Sequence, residues 1–254
     1  MLLAIDIGNT NITLGGYKDD VLAFTARLAT DSALTSDQYA ISLRNILSLY
    51  GEASDEIEDC IISSVVPQVA SSIAKAVSQL CEIVPLVIGP GVKTGLNIKI
   101  DNPAQLGADL VAGAVGAISK YTLPCIVIDM GTASTISVID KNGCFLGGVI
   151  AAGVRLTLKA LAENTAQLTS VHIEAPHSVI GSNTVDCMKS GLVYGTAAML
   201  DGLLGRIEDE LGCTAAVVAT GGLAKEIIVH CDRTIMYDEN LLLDGLREIY
   251  YKNH

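Results

Sequence analysis

Tryptophan is absent from this 254-residue chain, and it has only two phenylalanines. Its core must therefore be built from aliphatic side chains and alanine. Basic runs are missing too: 16 Lys and Arg stand against 28 Asp and Glu, a formal net charge of −12. A nucleic-acid surface needs clustered cations, so that class of partner is excluded on charge, and the acidic excess reads as solvated faces. No apolar run reaches the roughly 18 residues that a membrane helix needs, so no membrane association is expected. The opening Leu2-Leu3-Ala4-Ile5 stops at Asp6 and lacks a basic leader, and it reads as a first strand rather than a signal peptide. The seven cysteines are scattered without a CxxC pair and the four histidines form no ligand pattern, which indicates neither zinc nor a disulfide framework. Reduced core thiols and a cytoplasmic location are the expectation. A dehydrogenase would want G-x-G-x-x-G after its first strand, and none is there.

What the chain does have is a repeat. Ile5-Asp6-Ile7-Gly8-Asn9-Thr10 follows an apolar run and precedes Ile12-Thr13-Leu14. Ile128-Asp129-Met130-Gly131-Thr132-Ala133 follows Cys125-Ile126-Val127 and precedes Ile136-Ser137-Val138. Aligning Asp6 with Asp129 and Gly8 with Gly131 also pairs Lys18-Asp19-Asp20 with Lys141-Asn142-Gly143, and predicts one gapless register through strand, turn and strand. An aspartate ending an apolar strand can hold a hydrated cation, and the following glycine lets backbone N–H groups approach a phosphate. Asn9, Thr10, Thr132 and Thr135 add short donors. A single copy could be an ordinary hairpin with Asp-Gly turn chemistry. Two matched copies favour facing loops that grip one anionic ligand.

The remaining pattern supplies a scaffold. Segments 2–7, 11–17 and 21–29 predict an antiparallel meander. Thr35-Ser36-Asp37-Gln38 predicts a capping box before a helix with Tyr39, Leu43, Ile46, Leu47 and Tyr50 on its apolar face. A strand from Cys60 to Val66, a helix from Val69 to Cys81 and a short strand from Pro85 to Ile88 follow. Pro103 is expected to start a Gly- and Ala-rich helix through Ala117 that admits a close neighbour. The second half repeats the plan with strands at 125–129, 133–140 and 144–150 and a helix from Arg155 to Leu168. One or two long helices from Thr184 to Leu211, strand 217–219, the turn Thr220-Gly221-Gly222 leading into a helix, strand 235–237 and helix 242–250 complete it. The fold class is α/β, an actin-like (ribonuclease H-like) ATPase fold of two duplicated strand-meander-plus-helices lobes, 1–118 and 119–254. The lobes are expected to meet near residues 115–124 with ATP in the cleft.

Several motifs in order resemble type III pantothenate kinases along the whole chain. They are Asp6-x-Gly8-Asn9-Thr10, Ser63-Ser64-Val65-Val66-Pro67, Asn102-Pro103 with Gly107-Ala108-Asp109, and Asp129-x-Gly131-Thr132-Ala133. Gly147-Gly148-x-Ile150, Asn183-Thr184-Val185, Thr220-Gly221-Gly222 and Leu243-Asp244-Gly245-Leu246 continue the series. The resemblance implies ATP-dependent phosphorylation of pantothenate, the first step towards coenzyme A, by a homodimer that depends on a monovalent cation. Carried over, it implies that Asp6, Ile7, Gly8, Asn9, Thr10, Asn11, Ile12 and Thr13 hold ATP, with Asp6 near magnesium, and that Thr132 contacts ATP as well. It implies Asp129 as the ligand of potassium or ammonium, and Gly107, Ala108, Asp109 and Thr184 as contacts of pantothenate. Asp109 would be the base that accepts the proton of the pantoate primary hydroxyl. Thr184 could also serve as a helix N-cap.

The sequence departs from the family pattern around that base. Leu110 stands where the family has arginine, Ile100 where it has tyrosine, and Gln105 where it has glutamate. Elsewhere Gln38 replaces a glutamate and Ala152 a proline. Ile100, Gln105 and Leu110 are expected to surround Asp109, and leucine offers none of arginine's fixed donors. The ATP loops, by contrast, follow the pattern. The alternatives this leaves open are a same-fold kinase for a different small alcohol and a catalytically lapsed nucleotide-binding relative.

Overall fold

The apolar opening of the chain becomes the centre of a sheet. In the computed structural model, which describes residues 1–164, 168 and 170–254, β1 (Leu2–Ile7), β2 (Asn11–Lys18) and β3 (Val21–Ala29) form an antiparallel meander. The helix α1 (Ser36–Leu49) follows, capped as its sequence requires: Thr35 and Gln38 form a reciprocal capping box. Next come β4 (Asp59–Ser64), α2 (Pro67–Cys81) and β5 (Leu86–Val87). β4 joins the other side of β1 in parallel, giving the order β3-β2-β1-β4-β5. Leu3, Ile5 and Ile7 are buried against Tyr39, Leu43 and Leu47 of α1 and Val69, Ile73 and Val77 of α2. A central strand covered on both faces reads as a continuous apolar run, and Asp6 is the one residue of β1 that is not buried.

The two-residue strand β6 (Asn97–Ile98) and the helix α3 (Ala108–Lys120) come before the second sheet. That sheet repeats the first. β7 (Cys125–Met130), β8 (Ala133–Ile139) and β9 (Cys144–Ala152) make the meander, and α4 (Val154–Asn164) and α5 (Thr184–Leu211) lie beneath it. β10 (Ala216–Thr220), α6 (Ala224–Ile228) and β11 (Met236–Tyr237) follow, giving the order β11-β10-β7-β8-β9-β6. β7 carries the same burial sequence as β1, with Asp129 the only residue not buried. The last helix, α7 (Leu241–Tyr251), closes the chain. No helix among the described residues is long and apolar enough to cross a membrane.

The chain divides into one unit of Met1–Leu96, Asp101–Ser119 and Asn240–His254, and a second of Asn97–Ile100 and Lys120–Glu239. α7 groups with the first unit. Glycine is the reason. Gly245 lies so close to α3 that an ideal Cβ would fall 1.9 Å from the Ala112 carbonyl oxygen, and one on Gly116 would fall 2.3 Å from that of Leu241. The close neighbour that α3's small residues admit is therefore α7. β6 pairs with β9, which carries residues 97–100 into the second unit.

Three details differ from the sequence expectation. The repeat is not gapless: the first hairpin turns through Gly8, Asn9 and Thr10, the second through Gly131 and Thr132 alone. Asp6 therefore faces Thr13, seven residues on, whereas Asp129 faces Thr135, six on. Pro103 does not open the long helix. It begins a single 3-10 turn, Pro103–Gln105, capped by the Asn102 side chain, and the chain is extended at Leu106 before α3 starts at Ala108. The helix expected to Leu168 is described as far as Asn164 and Leu168 is not helical, while residues 165–167 lie outside the described residues.

Candidate active site

The first candidate loop is built where β1 and β2 turn. The Gly8 N–H donates to the Asn11 carbonyl at 3.0 Å, and the Thr10 carbonyl accepts from the Thr30 N–H at 3.0 Å. The Thr30 hydroxyl donates to the Gly8 carbonyl at 2.7 Å. Thr30, which the sequence reading passed over, therefore staples the loop from the end of β3. Asn9, Thr10 and Asn11 project to solvent. Ile7 and Ile12 are fully buried in the core, which leaves only their backbone to meet a nucleotide. Strand register places Asp6 between Thr13 on β2 and Ser63 on β4, all on one face of the sheet, because paired residues share a face. Ser63 is fully buried and its hydroxyl has no hydrogen-bond partner. An unsatisfied buried hydroxyl costs about 1–3 kcal/mol, so a ligand or water belongs beside it.

Asp109 sits in the first turn of α3, a position created by the break at Leu106-Gly107. The Leu110 N–H donates to its Oδ1 at 2.8 Å. Burial pushes the carboxyl above the ordinary carboxylate range, opposed by that backbone hydrogen bond. A carboxylate raised by desolvation is a better proton acceptor at neutral pH, which suits a general base. The link to the first loop runs through Val65. Its N–H donates to the Ile7 carbonyl at 3.1 Å, and its Cγ1 would lie 3.8 Å from a Cβ on Gly107. Thus Asp109 and the Asp6 loop occupy the same end of the first sheet. Leu110 is the next residue along α3 and Gln105 ends the preceding 3-10 turn, whereas Ile100 lies against Gly147, its Cγ2 3.8 Å from a Cβ built there.

Gly107 is constrained by Asp109 itself. A Cβ at this position would fall 2.4 Å from the Asp109 Oδ1. Gly107→Ala should therefore turn the carboxylate away. The expected result is a fall in kcat of at least about tenfold, read as ADP release, with a melting temperature near that of wild type. Unchanged kcat would show that the Asp109 orientation is not catalytic.

The second unit builds its own site from the duplicate strand end. Asp129 lies between Thr135 on β8 and Thr220 on β10, so both aspartates have a hydroxyl on each neighbouring strand. The loop is pinned by the Gly131 N–H donating to Ala133 at 3.1 Å, and by the Gly153 N–H donating to Thr132 at 3.2 Å. Two glycines allow other chain segments to meet it. A Cβ on Gly153 would lie 2.3 Å from the Thr132 carbonyl oxygen, and one on Gly221, whose φ is +96°, would lie 2.7 Å from the Met130 backbone. Thr132 projects to solvent between them. Past Gly221 opens a cavity of about 790 Å³ lined in part by Arg155, Lys159, His172, Gly222 and Glu226. Ligands in such folds collect outside the carboxyl ends of the strands, where this cavity and the Asp129 loop lie.

The α5 N-cap is Asn183, whose side chain accepts from the Asp186 N–H at 3.0 Å, so the Thr184 hydroxyl is not spent on capping. Thr184 opens instead on an apolar cavity of about 410 Å³ with Thr157, Leu161, Cys187 and Met188.

A family model for type III pantothenate kinase matches residues 2–206. The chain belongs to that family. It is 42% identical over 253 residues to a type III pantothenate kinase of Halalkalibacterium halodurans, with all of both chains covered, and 41% identical over 254 residues to one of Myxococcus xanthus, covering 100% of this chain and 99% of that one. Among solved structures, a Baf family transcriptional activator from Campylobacter jejuni matches with TM-score 0.63 at 20% identity, covering 99% of this chain and 98% of the other. Component A of the Acidaminococcus fermentans (R)-2-hydroxyglutaryl-CoA dehydratase matches with TM-score 0.58 at 17% identity, covering 99% and 97%. A ROK hexokinase from Thermus thermophilus matches with TM-score 0.54 at 11% identity, again covering 99% of this chain, and 98% of that one. At these identities the structural neighbours establish the actin-like, sugar-kinase-like fold alone. The kinase family and the fold agree with the duplicated strand ends at Asp6 and Asp129.

Proposed function

We infer that the chain transfers the terminal phosphoryl group of ATP to pantothenate, giving 4'-phosphopantothenate on the way to coenzyme A. The observation that carries this reading is the full-length likeness to type III pantothenate kinases, together with two Asp-x-Gly loops at the strand ends of a duplicated fold. Phosphoryl transfer asks a protein mainly for positioning and charge neutralisation. The exposed donors of Asn9, Thr10, Asn11 and Thr132 would bind phosphate oxygens, and Gly8 and Gly131, whose N–H groups hold the turns, would let the phosphates approach closely. Asp6, flanked by Thr13 and Ser63, fits a hydrated magnesium ion, a hard cation that prefers oxygen ligands and keeps several waters. That ion would neutralise charge on the transferred group. Asp129, between Thr135 and Thr220, would hold potassium or ammonium. Asp109 would orient and deprotonate the primary alcohol of pantothenate, and Gly107 and Ala108 would shape its surroundings.

The same reading extends to a homodimer working in the cytoplasm, with Thr184 contacting pantothenate. The surface of α5 supports the dimer. A methyl group added at Gly191, Gly195 or Gly202 would meet nothing within 4 Å, so alanine would fit. Glycine inside a helix costs about 1 kcal/mol relative to alanine, and a run of them on an exposed face suits close approach by a second helix.

The test is ADP release from Mg-ATP with and without pantothenate, in potassium and then in sodium buffer, with the molar mass measured on the same sample. The expected result is turnover that requires pantothenate, falls in sodium, and comes from a species of twice the chain mass. ATP binding without pantothenate-dependent turnover would overturn the assignment of the acceptor.

A further inference from the structure

We propose that Ser63 is a positioning residue for the metal that accompanies ATP, its hydroxyl holding a water of the metal's hydration shell beside Asp6. The inference rests on the reading of the Asp6 loop as the metal–ATP site. Its first support is local. β4 runs Asp59-Cys60-Ile61-Ile62-Ser63-Ser64, and its interior is otherwise apolar. Of the two serines, Ser64 has a structural task, its Oγ accepting from the Val66 N–H at 2.9 Å. Ser63 has none: it is wholly buried and its Oγ meets no hydrogen-bond partner. An alanine would pack there without the cost of an idle buried hydroxyl, so the hydroxyl answers to something that arrives with the ligand.

The second support is placement. Parallel register sets Ser63 directly beside Asp6 on the same face of the sheet. Magnesium binds through one or two carboxylates and phosphates and keeps several waters, each needing an acceptor. Groups that hold a metal's outer shell fix its geometry almost as firmly as its direct ligands do. The third support is duplication. In the second unit Asp129 is flanked by Thr135 and Thr220, and the Thr135 hydroxyl is likewise buried without a partner. Both sheets thus set an aspartate beside an unengaged hydroxyl, on the parallel neighbour β4 in the first unit and on the antiparallel neighbour β8 in the second, where Thr220 is the positional counterpart of Ser63.

The experiment follows thermal unfolding with fixed ATP across a magnesium titration, for wild type, Ser63→Ala and Ser63→Thr. In Ser63→Ala the magnesium concentration for half of the ATP-dependent rise in Tm should increase about tenfold. Its Tm without ligand should equal or exceed that of wild type. Ser63→Thr, carrying the residue type found at the equivalent Thr220, should keep the wild-type midpoint. An unchanged midpoint in Ser63→Ala, while wild type responds to magnesium, overturns the role of Ser63 alone. A wild type that ATP stabilises equally with and without magnesium overturns the reading of the Asp6 loop as well. Loss of the ligand-free fold in Ser63→Ala, with Ser63→Thr also shifted, would make the serine structural and end the proposal.

Discussion

Asp109→Asn should abolish pantothenate-dependent ADP release, with kcat lowered by about a hundredfold to ten-thousandfold, the usual share of a general base. The same change should leave the melting temperature at pH 7 equal to or above that of wild type. The reason is the sign of the carboxyl's shift. Burial raises the Asp109 pKa in the folded protein above its unfolded value. The folded state therefore binds that proton more tightly, and stability falls as pH rises from the ordinary carboxylate range through the raised pKa. Once ionised, the half-buried carboxylate is a liability to the fold, and asparagine removes the charge while keeping the shape. Activity moves the other way, because a base must be ionised: kcat/KM should rise with pH through the raised value, and that limb should vanish in Asp109→Asn. Catalytic groups are often held at such a cost to stability. An Asp109→Asn enzyme that turns over like wild type would remove Asp109 from the mechanism. One that is inactive and several degrees less stable would make it a structural residue instead.

Most of the scaffold was legible in the sequence because its signals are local. The capping box at Thr35 and Gln38, the apolar strands that end in Asp6 and Asp129, and the small residues of α3 each carry their structural cause within a few positions. What was not legible depends on partners distant in sequence. Whether a hairpin turns through three residues or two cannot be told from matching apolar runs, so Thr13 and Thr135 were aligned one position out. Pro103 signals a helix start equally well for a 3-10 turn, and only the extended Leu106 sets Asp109 in the first turn of α3. The two residues of β6 are too few to show a period. Ser63 was visible only as part of a motif, since its burial beside Asp6 follows from the pairing of β1 with β4. The departure at Leu110 takes a different weight in the structure. Its backbone N–H is already engaged by the Asp109 Oδ1, so this position steadies the Asp109 carboxylate through the main chain whatever side chain it carries.

Gly245→Val should damage the fold severely, and it should reach the active site through α3. The two helices cross with their backbones in contact: beyond the 1.9 Å approach to Ala112, a Cβ at Gly245 would lie 2.9 Å from the Gly116 nitrogen. Neither obstacle is the tip of a flexible side chain, so one helix must move. Overpacking usually costs about 1–3 kcal/mol, and a branched side chain against backbone belongs at the upper end. At roughly 2–4 °C per kcal/mol for a chain of this size, the expected loss is about 6–12 °C in Tm. α7 cannot retreat freely, because Leu243 fills the space beside Gly15 of β2 and the Tyr17 hydroxyl donates to Asp244 at 2.7 Å. α3 would yield instead, and α3 carries Asp109. The enzyme that still folds should therefore lose kcat and raise its KM for pantothenate, while the KM for ATP changes little, since the Asp6 loop is pinned independently by Thr30. Measuring both constants below the lowered Tm separates the cases. An equal loss for both substrates would mean that the crossing supports the whole first unit rather than the placement of the base.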